Sequence, residues 1–84
     1  MSERQRLFND LLEFDWLSPY PTQANFILTR VVDRDAQQLK LNLANKGILI
    51  RYFNKPGLED HVRFSIGTSE QTDRLIAALK ELET

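Results

Sequence analysis

Two arginines, Arg51 and Arg63, lie in the middle of the apolar runs "ILIRYF" and "HVRFSI". Runs of this length and composition are typical of short β-strands, and the segment that joins them contains Pro56 and Gly57. A guanidinium group presents N–H donors in a planar fork that matches a phosphate or a carboxylate. Two such groups on neighbouring strands would form an anion-binding site if both point to the same face of the sheet.

A hairpin register in which Tyr52 faces Val62 separates the two runs into an apolar face and a polar face. The apolar face would carry Ile48, Ile50, Tyr52, Val62, Phe64 and Ile66. The other face would carry Leu49, Arg51, Phe53, His61, Arg63 and Ser65. Arg51 then faces Arg63 directly, where like charges destabilise a sheet by up to about 1 kcal/mol. Either an anion binds between them, or the face is solvated and the two side chains point apart.

The rest of the chain supplies the elements that must position this hairpin. The order α-β-α-β-β-α is predicted, with helices over 2–14, 36–46 and 69–83 and strands over 24–32, 48–53 and 61–66. Ser2 with Gln5 and Thr68 with Gln71 have the spacing of capping boxes. Asp33 or Asp35 can cap the second helix, and Gly47 can end it. The "SPYPTQ" segment is read as a break after the first helix.

These elements predict one α+β domain over residues 1–84. Its sheet would be small, mainly antiparallel and three-stranded, with the last strand between the other two and the helices packed on one face. The formal net charge of −1 argues against a nucleic-acid or membrane surface partner. Without cysteine, and with His61 as the only histidine, the chain cannot form a disulfide or a Cys/His zinc site. The charged first residues contain no apolar signal core, so a cytoplasmic location is predicted.

The segments "ANFIL", "GILIR" and "VRFSIGTSEQTDRLIAAL", at these intervals, strongly resemble the C-terminal small domain of the histidinol-phosphate aminotransferase family. The resemblance extends from about Leu7 to Leu82. It implies a pyridoxal-phosphate (PLP) enzyme of the aspartate-aminotransferase fold type, which moves an amino group between histidinol phosphate and 2-oxoglutarate in histidine biosynthesis. It also implies that Arg51 and Arg63 are substrate-binding residues, which hold the phosphate of histidinol phosphate or a carboxylate of glutamate or 2-oxoglutarate.

The resemblance also implies that a large domain is missing, because family members are roughly four times as long. That domain carries the lysine that binds the cofactor. The lysines of this chain lie on predicted helices, helix ends or the hairpin loop, not in the desolvated setting that a Schiff-base lysine needs: Lys40, Lys46, Lys55 and Lys80. We therefore expect no catalytic, cofactor-binding or metal-binding residue, and no transamination by the chain alone. It would be an excised domain, a truncated gene product or one piece of a split enzyme, with the large domain as partner and weak homodimerisation possible.

For several other residues a structural role is predicted. His61 is read as a surface or strand-end residue rather than a general base, and Glu59 with Asp60 as a solvated turn. Three aromatic side chains could contact a substrate or the missing domain, although packing explains them equally well: Trp16, Tyr20 and Phe26.

Two alternative functions remain open. One is the small domain of the related threonine-phosphate decarboxylase of cobalamin synthesis, which also binds a phosphate-bearing amine. The other is a stand-alone RNA- or ligand-binding α+β module. The second is disfavoured because "HVRFSIG" lacks the glycine-aromatic signature of an RNA-binding strand.

Overall fold

The computed structural model describes residues 2–53 and 55–83. Its elements, in chain order, are α1 (Glu3–Leu11), β1 (Leu17–Pro19), β2 (Phe26–Val31), α2 (Ala36–Asn45), β3 (Arg51–Tyr52), β4 (His61–Ser65) and α3 (Ser69–Leu82). The four strands form one antiparallel sheet in the order β1-β2-β4-β3. The predicted α+β class and the central position of the last strand are therefore confirmed.

The predicted strand count is wrong, because a short edge strand, β1, lies in the stretch that was read as a break. Pro19 is in this strand and pairs with Thr29. The neighbouring backbone hydrogen bonds run from Val32 N to Trp16 O and from Tyr20 N to Leu28 O, each 2.9 Å long. Every second residue of an antiparallel edge strand points its N–H away from the partner, and Pro19 occupies such a position. Its missing donor therefore costs nothing here.

Strand β3 is shorter than predicted because its predicted first residue, Ile48, hydrogen-bonds to the end of α2 instead of pairing with β4. Gly47 has φ +82°, the left-handed conformation that ends many helices. The N–H of Ile48 then donates to Leu43 O at 2.9 Å, so this residue still closes the helix. The pairs Arg51–Arg63 and Tyr52–Val62 form as predicted. Ile48 and Ile50 do not pair with β4, so this part of the prediction is wrong.

The helix starts agree largely with their sequence signals. Thr68 and Gln71 form a complete capping box at α3. At α1 only half of the box forms: Ser2 accepts from the Gln5 N–H, while the Gln5 side chain donates to Asn9. The cap of α2 is Asp35, whose carboxylate accepts from two backbone N–H groups. Asp33 instead adopts a positive φ of 60° before it.

The hydrophobic core lies between one face of the sheet and the three helices. The sheet contributes Ile27, Val31, Val62 and Phe64, and the helices contribute Leu7, Leu11, Leu39, Leu43, Leu75 and Leu79. Because side chains alternate along a strand, burying this face leaves the other face without a helical cover. No helix in the described residues is long and apolar enough to cross a membrane.

Candidate functional site

The uncovered face of the sheet, here called the open face, has Arg63 at its centre. The β4 residues on this face are His61, Arg63 and Ser65, and their β2 partners are Arg30, Leu28 and Phe26, respectively. On the other side of β4, Arg51 lies directly opposite Arg63. Arg63 therefore has neighbours on both sides and along its own strand.

The predicted opposition of Arg51 and Arg63 is thus present, and neither charge is compensated within the described residues. No ion pair involves either residue there, whereas Arg6 pairs with Asp73 and Arg30 pairs with Asp60. Two uncompensated like charges on opposed residues repel. A bound anion would remove this repulsion and accept hydrogen bonds from both guanidinium forks.

Arg63 is half-buried, while Arg51 is exposed. The guanidinium carbon of Arg63 lies 4.9 Å from the centroid of the Phe26 ring, within cation–π range. Its Nε is buried and has no hydrogen-bond partner among the described residues. Buried donors in folded proteins are nearly always paired, so an unpaired one needs an explanation such as an ordered water, an ion or a ligand. A ligand that brings acceptor oxygens to the guanidinium group of Arg63 would be one such partner.

A chain of polar contacts borders the arginine pair on the same face. Tyr20 stacks on His61 with ring centroids 5.7 Å apart, and its hydroxyl lies 3.2 Å from Nε2 of His61. His61 Nδ1 is 2.8 Å from one oxygen of Asp60, and the other oxygen accepts a 2.8 Å hydrogen bond from Arg30 Nε. That hydrogen bond is the main cause that lowers the pKa of Asp60. The imidazole therefore contacts Tyr20 through Nε2, whereas its Nδ1 lies close to Asp60 without forming a hydrogen bond in the described residues.

These contacts refine the predictions made for His61 and Asp60. His61 is the first residue of β4, as a strand-end histidine should be, but only 8% of its surface is exposed. Asp60 belongs to an ion pair rather than to a freely solvated turn. The sequence carried no usable signal for either contact, because β2 and β4 are distant in the chain and their register could not be inferred. Trp16 is buried in the core, in agreement with its packing role.

A separate pocket of about 250 Å³ lies beside the residues that precede β3. It is formed by residues 47–50, the end of β4 and the first turns of α3, with Leu7. Neither Arg51 nor Arg63 lines it. The arginine pair on the open face is therefore a distinct feature and remains the candidate anion site.

The lysines do not provide a place for PLP. All four are exposed, and Lys46 is paired with Glu81. A lysine that forms a Schiff base needs a desolvated setting or a neighbouring cation to lower its pKa. The lysines of this chain therefore do not fit a covalently held cofactor. That the chain binds no cofactor stays a prediction.

Comparison with known proteins identifies the family. Residues 1–79 match the family model described as aminotransferase class I and II. A histidinol-phosphate aminotransferase of Dehalococcoides mccartyi is 46% identical over 82 residues, which cover 98% of this chain and 23% of that protein. The crystal structure of the Clostridium acetobutylicum histidinol-phosphate aminotransferase matches with a TM-score of 0.89 at 30% identity, over 96% of this chain and 25% of that one.

A second enzyme type has the same fold. The L-threonine-O-3-phosphate decarboxylase of Porphyromonas gingivalis matches with a TM-score of 0.85 at 27% identity, over 93% of this chain and 25% of that one. The chain thus spans about a quarter of the length of the proteins it matches. Because the family model covers nearly all of its residues, the chain belongs to the class I and II aminotransferases.

Proposed function

We propose that this chain is the small domain of a PLP-dependent aminotransferase of the histidinol-phosphate type, and that Arg51 and Arg63 bind the anionic end of the substrate. The observation that carries the proposal is the opposition of two uncompensated arginines on the open face, one of them with an unpaired buried donor. Full-length members of the family depend on PLP, which supplies the electron sink for moving an amino group. This chain contributes binding and orientation.

The physical role of the two arginines follows from their setting. Arg63 lies on β4, an inner strand, is half-buried and contacts the ring of Phe26, so it defines where the anion sits. Arg51 is exposed and can turn toward the same anion from the edge strand. Two guanidinium forks can together satisfy several oxygens of a phosphate, or both oxygens of a carboxylate. Holding this end of the substrate fixes the position of its reacting amine.

The second candidate is the small domain of a threonine-phosphate decarboxylase. It is supported by the fold match to the Porphyromonas gingivalis enzyme. The 46% identity with histidinol-phosphate aminotransferases favours the first candidate. Both assignments require the same anion site, since the names of both enzymes specify a phosphate-bearing substrate.

A titration of the isotope-labelled chain, followed by NMR, tests the shared part of the proposal. Histidinol phosphate, threonine phosphate, glutamate and inorganic phosphate would each be added at constant ionic strength. We expect saturable shifts centred on Arg51 and Arg63, in the millimolar range for so small a site. Arg51→Gln and Arg63→Gln should each weaken binding, by about tenfold or more for Arg63 because the lost bond is charge-assisted.

The matched control is Arg4→Gln, which removes an arginine that lies on α1, away from the open face, and hydrogen-bonds to Gln23. This variant should bind as the original chain does. Equal binding by Arg63→Gln and the original chain would refute the anion site. A preference for histidinol phosphate over threonine phosphate would favour the aminotransferase assignment, and the reverse preference would favour the decarboxylase.

A further inference from the structure

Phe26 lies beneath the guanidinium group of Arg63 and has no role in the site described so far. It is paired with Ser65, so it is the diagonal neighbour of Arg63 across β2 and β4. Diagonal neighbours on one face are within reach of aromatic and long side chains. The cation lies 4.9 Å from the ring centroid, and the ring is only partly buried. Phe26 thus supports the arginine from below rather than filling the core.

We propose that Phe26 is the positioning residue for Arg63, holding its guanidinium plane ready for the anion; this rests on the proposed function. The two residues directly opposite Arg63 on the neighbouring strands cannot do this. Leu28, directly opposite Arg63, has no aromatic face, and Arg51 repels the guanidinium. The Nε of Arg63 has no hydrogen-bond partner in residues 2–53 and 55–83. The ring of Phe26 therefore provides an attractive contact that can hold this side chain before a ligand binds.

A second arginine–aromatic pair, Arg34 with Trp16, differs from Arg63 with Phe26 in the hydrogen bonds of its guanidinium group. Arg34 lies 4.1 Å above the Trp16 ring and donates hydrogen bonds to the carbonyls of Leu82 and Glu83. Its donors are thus used by the protein itself. Arg63 has the aromatic support, but its Nε has no such acceptor within the described part of the chain, so the protein uses its donors less than those of Arg34. An arginine held in advance loses less side-chain freedom when the anion binds.

The test uses the 84-residue chain, inorganic phosphate and three variants. Phe26→Leu keeps an apolar side chain but removes the ring, Phe26→Tyr keeps the ring, and Phe8→Leu is the control because Phe8 packs against the core from α1. We expect Phe26→Leu to weaken phosphate binding by about two- to fivefold, the usual range for a partly exposed cation–π contact. Phe26→Tyr and Phe8→Leu should change binding by less than about twofold, which is below that range.

A spectroscopic readout separates positioning from a structural role. The Nε–Hε signal of Arg63 in the original chain should carry an upfield ring-current shift, retained in Phe26→Tyr and lost in Phe26→Leu. Absence of this shift in the original chain would overturn the inference, and so would phosphate binding by folded Phe26→Leu at full strength. If Arg63→Gln abolishes binding while Phe26→Leu does not, only the role of Phe26 fails. If Arg63→Gln also has no effect, the proposed function fails as well.

Discussion

Replacing Arg51 by glutamine should stabilise the ligand-free chain, although most substitutions destabilise a protein. Arg51 is exposed, lies on an edge strand and faces Arg63 without a compensating carboxylate in the described residues. Glutamine keeps much of the aliphatic stem and removes the charge. The variant therefore loses a repulsion and little packing.

The size of the effect follows from Coulomb's law. Opposed residues on one face have Cβ atoms about 5 Å apart, and we take the two charges to be roughly 7 Å apart. In a water-like dielectric this gives a repulsion of ~0.6 kcal/mol, reduced to ~0.5 kcal/mol at 0.01 M salt and to less than ~0.1 kcal/mol at 1 M. For a domain of this size, ~0.5 kcal/mol corresponds to an increase of roughly 2–4 °C in the melting temperature.

Urea and thermal unfolding in sodium chloride at both salt concentrations would measure this gain. Arg51→Lys is the matched control: it keeps the charge and should show no gain. Adding phosphate should stabilise the original chain more than Arg51→Gln, because the anion binds between the two arginines. A gain that persists at 1 M salt would not be electrostatic. A loss of stability at low salt, with Arg51→Lys unchanged, would refute the reasoning about repulsion.

Three further predictions concern acid stability, the core and the cofactor. Asp60→Asn should lower stability at pH 6, and this difference should shrink below about pH 4, because the lowered pKa of Asp60 stabilises the fold only while the carboxyl is ionised; urea unfolding across pH measures it, with Glu59→Gln as the control. Leu79→Ala, at a fully buried position, should cost about 2–5 kcal/mol, whereas Leu49→Ala, at a position 86% exposed, should cost almost nothing in the same assay. Mixing the chain with PLP, with and without histidinol phosphate, should leave the absorbance spectrum of the free cofactor unchanged; an aldimine band that responds to the amine would show that one of the four exposed lysines is functional.

The hairpin could be predicted from the sequence because its residues alternate in character. A slip of one residue would exchange the apolar and polar faces. The alternation therefore predicts Arg51 opposite Arg63, and the structure confirms this pair. The capping box at Thr68 could likewise be recognised, because its two members interact locally within three residues.

The rest of the open face depended on contacts that the sequence does not encode locally. Strands β2 and β4 are joined through α2 and β3, so no short turn sets their register. The position of Phe26 beneath Arg63 and the pairing of Arg30 with Asp60 follow from that register alone. Strand β1 was missed because Pro19 usually ends an element, and it is tolerated only at a sheet edge.

A crystal structure of the chain grown or soaked with phosphate tests the central claim most directly. We expect one phosphate on the open face, with its oxygens about 2.7–2.9 Å from guanidinium nitrogens of both Arg51 and Arg63. Phosphate bound only elsewhere, for example at the N-terminus of α3, would contradict this prediction. So would an open face on which Arg51 and Arg63 point apart at saturating phosphate.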